Sequence, residues 1–168
     1  MKVILAKAVE QVLRFLRGQN GAALAELAIL VPFLLLMVAA VSEFGRFFQD
    51  YTTLSKTTRA AARYLSTNTF DADNQNTAKN LVICGKRTCG AERLVPGLEA
   101  TNVCIQYFTP VGSPRPETVT VSIPRTAGGC GAPLPFKPLF NIGALLNTSF
   151  DFRPKISPST TMYYLIED

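Results

Sequence analysis

One carboxylate sits five residues after a glycine, in Gly21-Ala22-Ala23-Leu24-Ala25-Glu26, at the head of a run otherwise fit to span a membrane. From Ala22 to Val41 there are twenty residues, and Glu26 is the only ionisable one. As a helix, twenty residues rise about 30 Å, the thickness of a bilayer's hydrocarbon core. A carboxylate there costs about 2.5–3.5 kcal/mol near the helix centre and less near an end. A passive anchor has no need of it. Two plain readings place Glu26 at the membrane surface, or protonated and silent. The sharper reading gives it a partner. A chain cut after Gly21 carries a new amine at Ala22, and that amine, or one on a neighbouring subunit, neutralises Glu26 in a low-dielectric setting.

The second set of residues with chemistry is Cys84, Cys89, Cys104 and Cys130, all of which follow the apolar run. An even count in an oxidising compartment favours two disulfides. Zinc and free buried thiols are the rivals. Zinc wants paired ligands at close spacing, and there is no Cys-x-x-Cys and no histidine. Free thiols pack as small core residues. Four cysteines allow three connectivities. We expect Cys84 with Cys89, which bracket the turn-like Gly85-Lys86-Arg87-Thr88, and Cys104 with Cys130, which ties a strand to a Gly/Pro-rich stretch.

Much other chemistry is missing. Without histidine there is no Ser-His-Asp triad and no imidazole base or ligand. Gly128-Gly129-Cys130-Gly131 lacks the Lys-Ser/Thr of a phosphate loop. Cys84 and Cys89 have no evident base to activate them. Asp71-Ala72-Asp73 is better read as a solvated turn than as a calcium site, which wants about six or more oxygens. The reading is therefore not an enzyme, with no cofactor, no metal and no small-molecule substrate.

Charge is uneven along the chain. The formal net charge is +5, of which residues 1–21 contribute +3 through Lys2, Lys7, Arg14 and Arg17 against Glu10. The remainder is close to neutral and has no basic-aromatic stripe, so nucleic acid is not an expected partner. Lys and Arg beside a membrane segment stay on the cytoplasmic side. The N-terminus is then inside, and everything after Val41 is periplasmic or outside. A cleavable secretory signal is the rival, but its apolar core spans about 7–15 residues, shorter than this run. Glu26 and Pro32 also suit such a core poorly.

The elements that must position these residues follow from periodicity. Phe44, Phe47 or Phe48, Tyr51, Leu54, Thr58, Ala61 or Ala62, and Leu65 recur at steps of three and four. The helix therefore continues past the membrane, from Ala22 to Ser66, with a kink expected at Pro32, where its ring meets the carbonyl of Ala28. Its stripe packs on the chain's own globular part and on a partner helix. Asn68 to Asn76 reads as a loop, and Thr77 to Cys84 as a short second helix. Asn102 to Phe108, Thr118 to Ile123, Phe150 to Arg153 and Thr160 to Ile166 read as strands. Phe136, Leu139, Phe140 and Ile142 suit a short surface helix or a binding loop. Short connections imply an antiparallel sheet, so the fold class is α+β. The domain reading is a cytoplasmic leader over 1–21, a transmembrane and amphipathic helix over 22–66, and a periplasmic α+β domain over 67–168.

A basic leader ending in Gly21, then small or apolar residues, Glu26 and a hydrophobic helix, resembles a type IV prepilin cleavage site. Glu26-Leu27-Ala28-Ile29-Leu30-Val31-Pro32-Phe33-Leu34-Leu35-Leu36, then Glu43-Phe44-Gly45-Arg46, then Thr58-Arg59-Ala60-Ala61-Ala62-Arg63-Tyr64, is similar to the TadE-like family. These are the minor pseudopilins of bacterial tight-adherence (Flp, type IVb-like) pili. Ser157-Pro158-Ser159-Thr160-Thr161-Met162 resembles the family's last strand. The resemblance implies a prepilin peptidase cutting between Gly21 and Ala22, and an assembly role for Glu26. It implies as partners that peptidase, a second minor pseudopilin, the major Flp pilin and an inner-membrane assembly platform. It places the chain in the bacterial inner membrane, single-pass, or in an extracellular pilus that serves cell adhesion. The alternative is an uncleaved, membrane-anchored periplasmic binding module; a lower one is a soluble domain freed by signal peptidase.

Overall fold

A computed structural model describes residues 19–113, 115–128, 130–139 and 153–165. The chain divides into two units, Met1–Ser42 and Glu43–Asp168. Helix α1, Gln19–Ser66, contributes to both. It is followed by α2 (Ala72–Cys84), a 3-10 turn (Ala100–Asn102), and strands β1 (Cys104–Phe108), β2 (Thr118–Ser122), β3 (Leu134–Pro135), β4 (Lys155–Ile156) and β5 (Ser159–Tyr163). This is the α+β architecture expected: a long N-terminal apolar helix, then a small domain with an antiparallel sheet.

In the first unit, α1 is rich in Ala and Leu, which lose little on entering a helix. Its apolar side chains are exposed from Leu24 to Val41, with Phe33 at 61% and Val38 at 67%. Pro32 lies inside the helix, where it leaves the carbonyl of Ala28 without its usual donor.

In the second unit, the expected stripe divides. Leu54, Thr58, Ala61, Ala62 and Leu65 are fully buried, and Phe47 packs half-buried against them. Phe44, Phe48 and Tyr51 are exposed. The buried face shares one core with β2, whose Val119 and Val121 alternate inward between half-buried Thr118, Thr120 and Ser122. Thr58 is tolerated inside because its hydroxyl donates to the Ser55 carbonyl at 3.2 Å and lies 3.5 Å from that of Thr160 on β5. Helix α1 ends where Ser66, Thr67 and Asn68 turn their side chains back onto the Arg63 and Tyr64 carbonyls. These donors satisfy acceptors that the helix leaves open.

Helix α2 begins earlier than the apolar spacing suggests, at Ala72 rather than Thr77. The reason is a cap. The Asp71 carboxylate accepts the Asn74 N–H at 2.7 Å, and Asn74 also holds the Thr69 carbonyl and the Tyr64 hydroxyl. Polar NTFDADNQN thus contains the first turn of a helix as well as a loop. Gly85, at φ 72°, closes the other end with its N–H on the Leu81 carbonyl.

The three-stranded sheet has order β1-β2-β5, antiparallel throughout. Three strands are shorter than their sequence spans: β1 begins at Cys104 because Ala100–Asn102 forms the 3-10 turn, β2 ends at Ser122, and β5 runs Ser159–Tyr163. A second, two-stranded sheet pairs Leu134 with Ile156 and Pro135 with Lys155. Phe136 is buried against the core and Leu139 is exposed, with no helix over the described part of that segment. Phe140, Ile142 and most of the Phe150 to Arg153 strand lie outside the described residues, as does residues 1–18 of the leader.

Candidate functional site

Gly21, Ala22 and Glu26 all lie within α1, which starts before them at Gln19. A four-residue separation puts Ala22 and Glu26 on one helix face, one turn apart. Glu26 is exposed, and among the described residues no side chain pairs with it. The bond between Gly21 and Ala22 is therefore helical, and Gly21 is the residue least committed to that state, by roughly 1 kcal/mol relative to Ala. A helix newly begun at Ala22 would carry a positive amine and four open N–H groups one turn from Glu26, a setting that favours a carboxylate.

By length and composition, α1 is the one described helix able to cross a membrane. None of its apolar window is buried.

The cysteines form two bonds, Cys84–Cys89 and Cys104–Cys130, with Cα separations of 5.8 and 5.3 Å. The first closes the turn that follows α2. The second fastens the start of β1 to the loop after β2, beside the Ala132 N–H that donates to the Thr101 carbonyl at 2.7 Å.

Three features had no legible signal. Asn102 is buried; its side-chain oxygen accepts the Glu99 N–H at 2.8 Å, and its amide reaches the Ala132 carbonyl at 3.2 Å. Glu43 accepts the Leu139 N–H at 2.6 Å. Phe47 meets Phe136 edge-to-face at 5.5 Å, with the Arg46 guanidinium 5.8 Å over the same ring. The expected helical stripe left Phe47 and Phe48 as alternatives, and nothing in the sequence marked Phe136 as a partner of either.

Around Tyr107 the chain collects aromatic rings: Phe70 at 4.5 Å and Tyr164 at 6.2 Å. Burial pushes the Tyr107 hydroxyl up to about 12, helped by Tyr164 and Asp71. That hydroxyl is buried without a hydrogen-bond partner among the described residues. The Asp71 carboxyl is held below its ordinary value, first by the Asn74 N–H and then by the Thr69 hydroxyl.

No curated protein and no solved structure matches the chain. Over residues 21–63, which hold Gly21, Ala22, Glu26, Pro32 and Glu43-Phe44-Gly45-Arg46, the chain matches the family described as TadE-like protein.

Proposed function

We propose that this chain is a membrane-inserted minor pseudopilin of a tight-adherence (Flp) pilus, a structural or initiating part of the assembly machine and not an enzyme. The TadE-like segment associates the chain with that pilus and its membrane machinery. In this reading residues 1–21 are a cytoplasmic leader, 22–66 the membrane and amphipathic helix, and 67–168 a periplasmic domain. A prepilin peptidase cuts between Gly21 and Ala22. A second minor pseudopilin, the major Flp pilin and an inner-membrane platform are the partners, and the two disulfides suit an oxidising compartment.

The observation that carries the reading is the division of α1. Its first part exposes an apolar surface interrupted only by Glu26, and its last part packs by Leu54, Ala61, Ala62 and Leu65 into a small sheet domain. A passive anchor needs the first property alone. Helix at the scissile bond must unwind to enter a peptidase, and glycine makes that local opening easiest where the cut is proposed.

The test is the N-terminus of the protein recovered from membranes. Ala22 supports the proposal. Met1 points to a permanently anchored binding module, and a residue near Val41 points to a secreted domain. Gly21→Trp should leave the precursor uncut; normal processing of that variant overturns the assignment of the site.

A further inference from the structure

The order β1-β2-β5 makes β1 an edge of its sheet. In an antiparallel ladder alternate residues turn N–H and C=O toward the neighbouring strand, and those between turn them outward. On the far side of β2 the Tyr164 N–H donates to the Glu117 carbonyl at 2.8 Å and the Ile123 N–H to the Pro158 carbonyl at 3.0 Å, so odd-numbered residues of β2 face β5 and even-numbered ones face β1, which fixes the phase. Cys104, Gln106 and Phe108 bond toward β2; Ile105 and Tyr107 face away. The outward Ile105 carbonyl has the Cys130 sulfur 3.9 Å away, a weak contact. Among the described residues nothing else pairs with the outward groups of Ile105 and Tyr107. Proteins commonly guard such an edge with Lys, Pro or a bulge. The β1 sequence, Cys-Ile-Gln-Tyr-Phe, has no such guard.

A groove of about 230 Å³ lies beside this edge. Gln75 and Lys79 of α2 line it from one side, and Val103 and Ile105 from the other, with Thr101 and Gly131 also contributing. Lys79 is the one charged residue in this lining. It is half-buried, and no carboxylate pairs with it among the described residues. Further along, Phe70, just before α2, is exposed yet meets Tyr107 edge-to-face at 4.5 Å. The segment around α2 therefore stands beside β1 at both Ile105 and Tyr107.

We propose that the β1 edge and the groove between it and α2 take an extended polypeptide segment carrying a carboxylate, by strand addition. A strand laid on an open edge gains main-chain hydrogen bonds, and the flanking side chains set which sequences fit. Here Ile105 and Tyr107 supply donors and acceptors. Val103 and Ile105 offer an apolar wall to alternate side chains of the guest. Lys79 selects an acidic residue or a free C-terminus, because it is the one charge in the lining and no carboxylate pairs with it among the described residues. The inference does not depend on the pilus reading, and its failure leaves that reading untouched.

The test uses the full chain in detergent micelles, with amide hydrogen exchange read residue by residue. The probe is the hexapeptide Val-Thr-Val-Glu-Val-Thr. Its controls are the same peptide with Lys for Glu, and the same peptide N-methylated on alternate residues to remove its donors. The Glu peptide should slow exchange at Ile105 and Tyr107 by about tenfold or more at saturation. The N-methylated peptide should not. The Lys peptide should bind more weakly, and Lys79→Glu should reverse the ranking of the two charged peptides. Unchanged exchange, equal binding of both charged peptides, or protection at Thr161 and Tyr163 on the opposite edge would overturn the proposal. Protection that grows with protein concentration in the absence of peptide would also overturn it, since the occupant would then be a second copy of this chain.

Discussion

The Glu43 carboxylate holds the backbone N–H of Leu139 at 2.6 Å, bridging positions 96 residues apart. The same carboxylate lies 3.4 Å from the Arg46 guanidinium, which in turn stands over the Phe136 ring. The Glu43-Phe44-Gly45-Arg46 segment thus clasps residues 136–139 with one charge-assisted hydrogen bond and one aromatic contact. Its part in the TadE-like resemblance therefore coincides with a structural task.

Breaking that clasp should loosen the segment more than it unfolds the domain. Glu43→Ala should speed exchange of the Leu139 amide and cost about 1 kcal/mol, since the bond is charge-assisted but partly wet. Glu43→Gln keeps an acceptor and should cost less. Equal exchange at Leu139 in all three proteins would show that the contact carries no weight.

Ala61 and Ala62 are fully buried in the core that α1 shares with the sheet. Ala61→Leu adds volume where there is no room, and should cost about 1–3 kcal/mol or fail to fold. Denaturant unfolding in detergent measures it. A neutral result would mean that the core around Ala61 can move aside.

Asp71 supplies the pH-dependent contribution. Its folded value lies below the ordinary 3.8, so its stabilisation is fully present above the unfolded value and is lost as pH falls through the folded one. Asp71→Asn keeps a capping oxygen without titrating. Melting temperatures of the two proteins should differ at neutral pH and converge in acid below 3.8. A gap that is constant with pH would remove the carboxylate's charge from the account.

The two disulfides should differ in weight. In the chain-entropy picture a bond closing the longer loop, Cys104–Cys130, is worth about 3.5 kcal/mol and the short Cys84–Cys89 loop about 2. Paired Cys→Ser substitutions, each followed by unfolding, should rank in that order. The reverse ranking would assign the stabilisation to native packing around Cys84.

Glu26 belongs to assembly in our reading. Glu26→Gln should leave the domain's disulfides and stability intact and ease insertion slightly, because a desolvation cost disappears. Piliation and co-purification with pilin partners should be lost. A fully piliated Glu26→Gln strain would make the carboxylate a bystander; degradation before insertion would move its role to an earlier step.

Patterns with a strong period could be read directly. Leu54, Thr58, Ala61 and Leu65 recur at helical spacing, and Val119 and Val121 at strand spacing, so the main helix, the central strand and the antiparallel α+β class were legible. What escaped was held by single polar groups. Asp71 starts α2 by one cap, Asn102 stitches two loops by one amide, and Glu43 reaches Leu139 across most of the domain. Each depends on which backbone group the fold brings alongside, which no local spacing encodes. The β3–β4 pair was missed because two residues, one of them proline, carry no period.

The central strand β2 has neighbours acquired at different times. Its partner β1 precedes it by a hairpin-length connection, whereas β5 arrives only after residues 123–158. Closing so long a loop is entropically slow. A chain emerging from its N-terminus therefore holds α1, α2 and a bare hairpin until β5 pairs and Leu165 fastens to the Ser66 carbonyl.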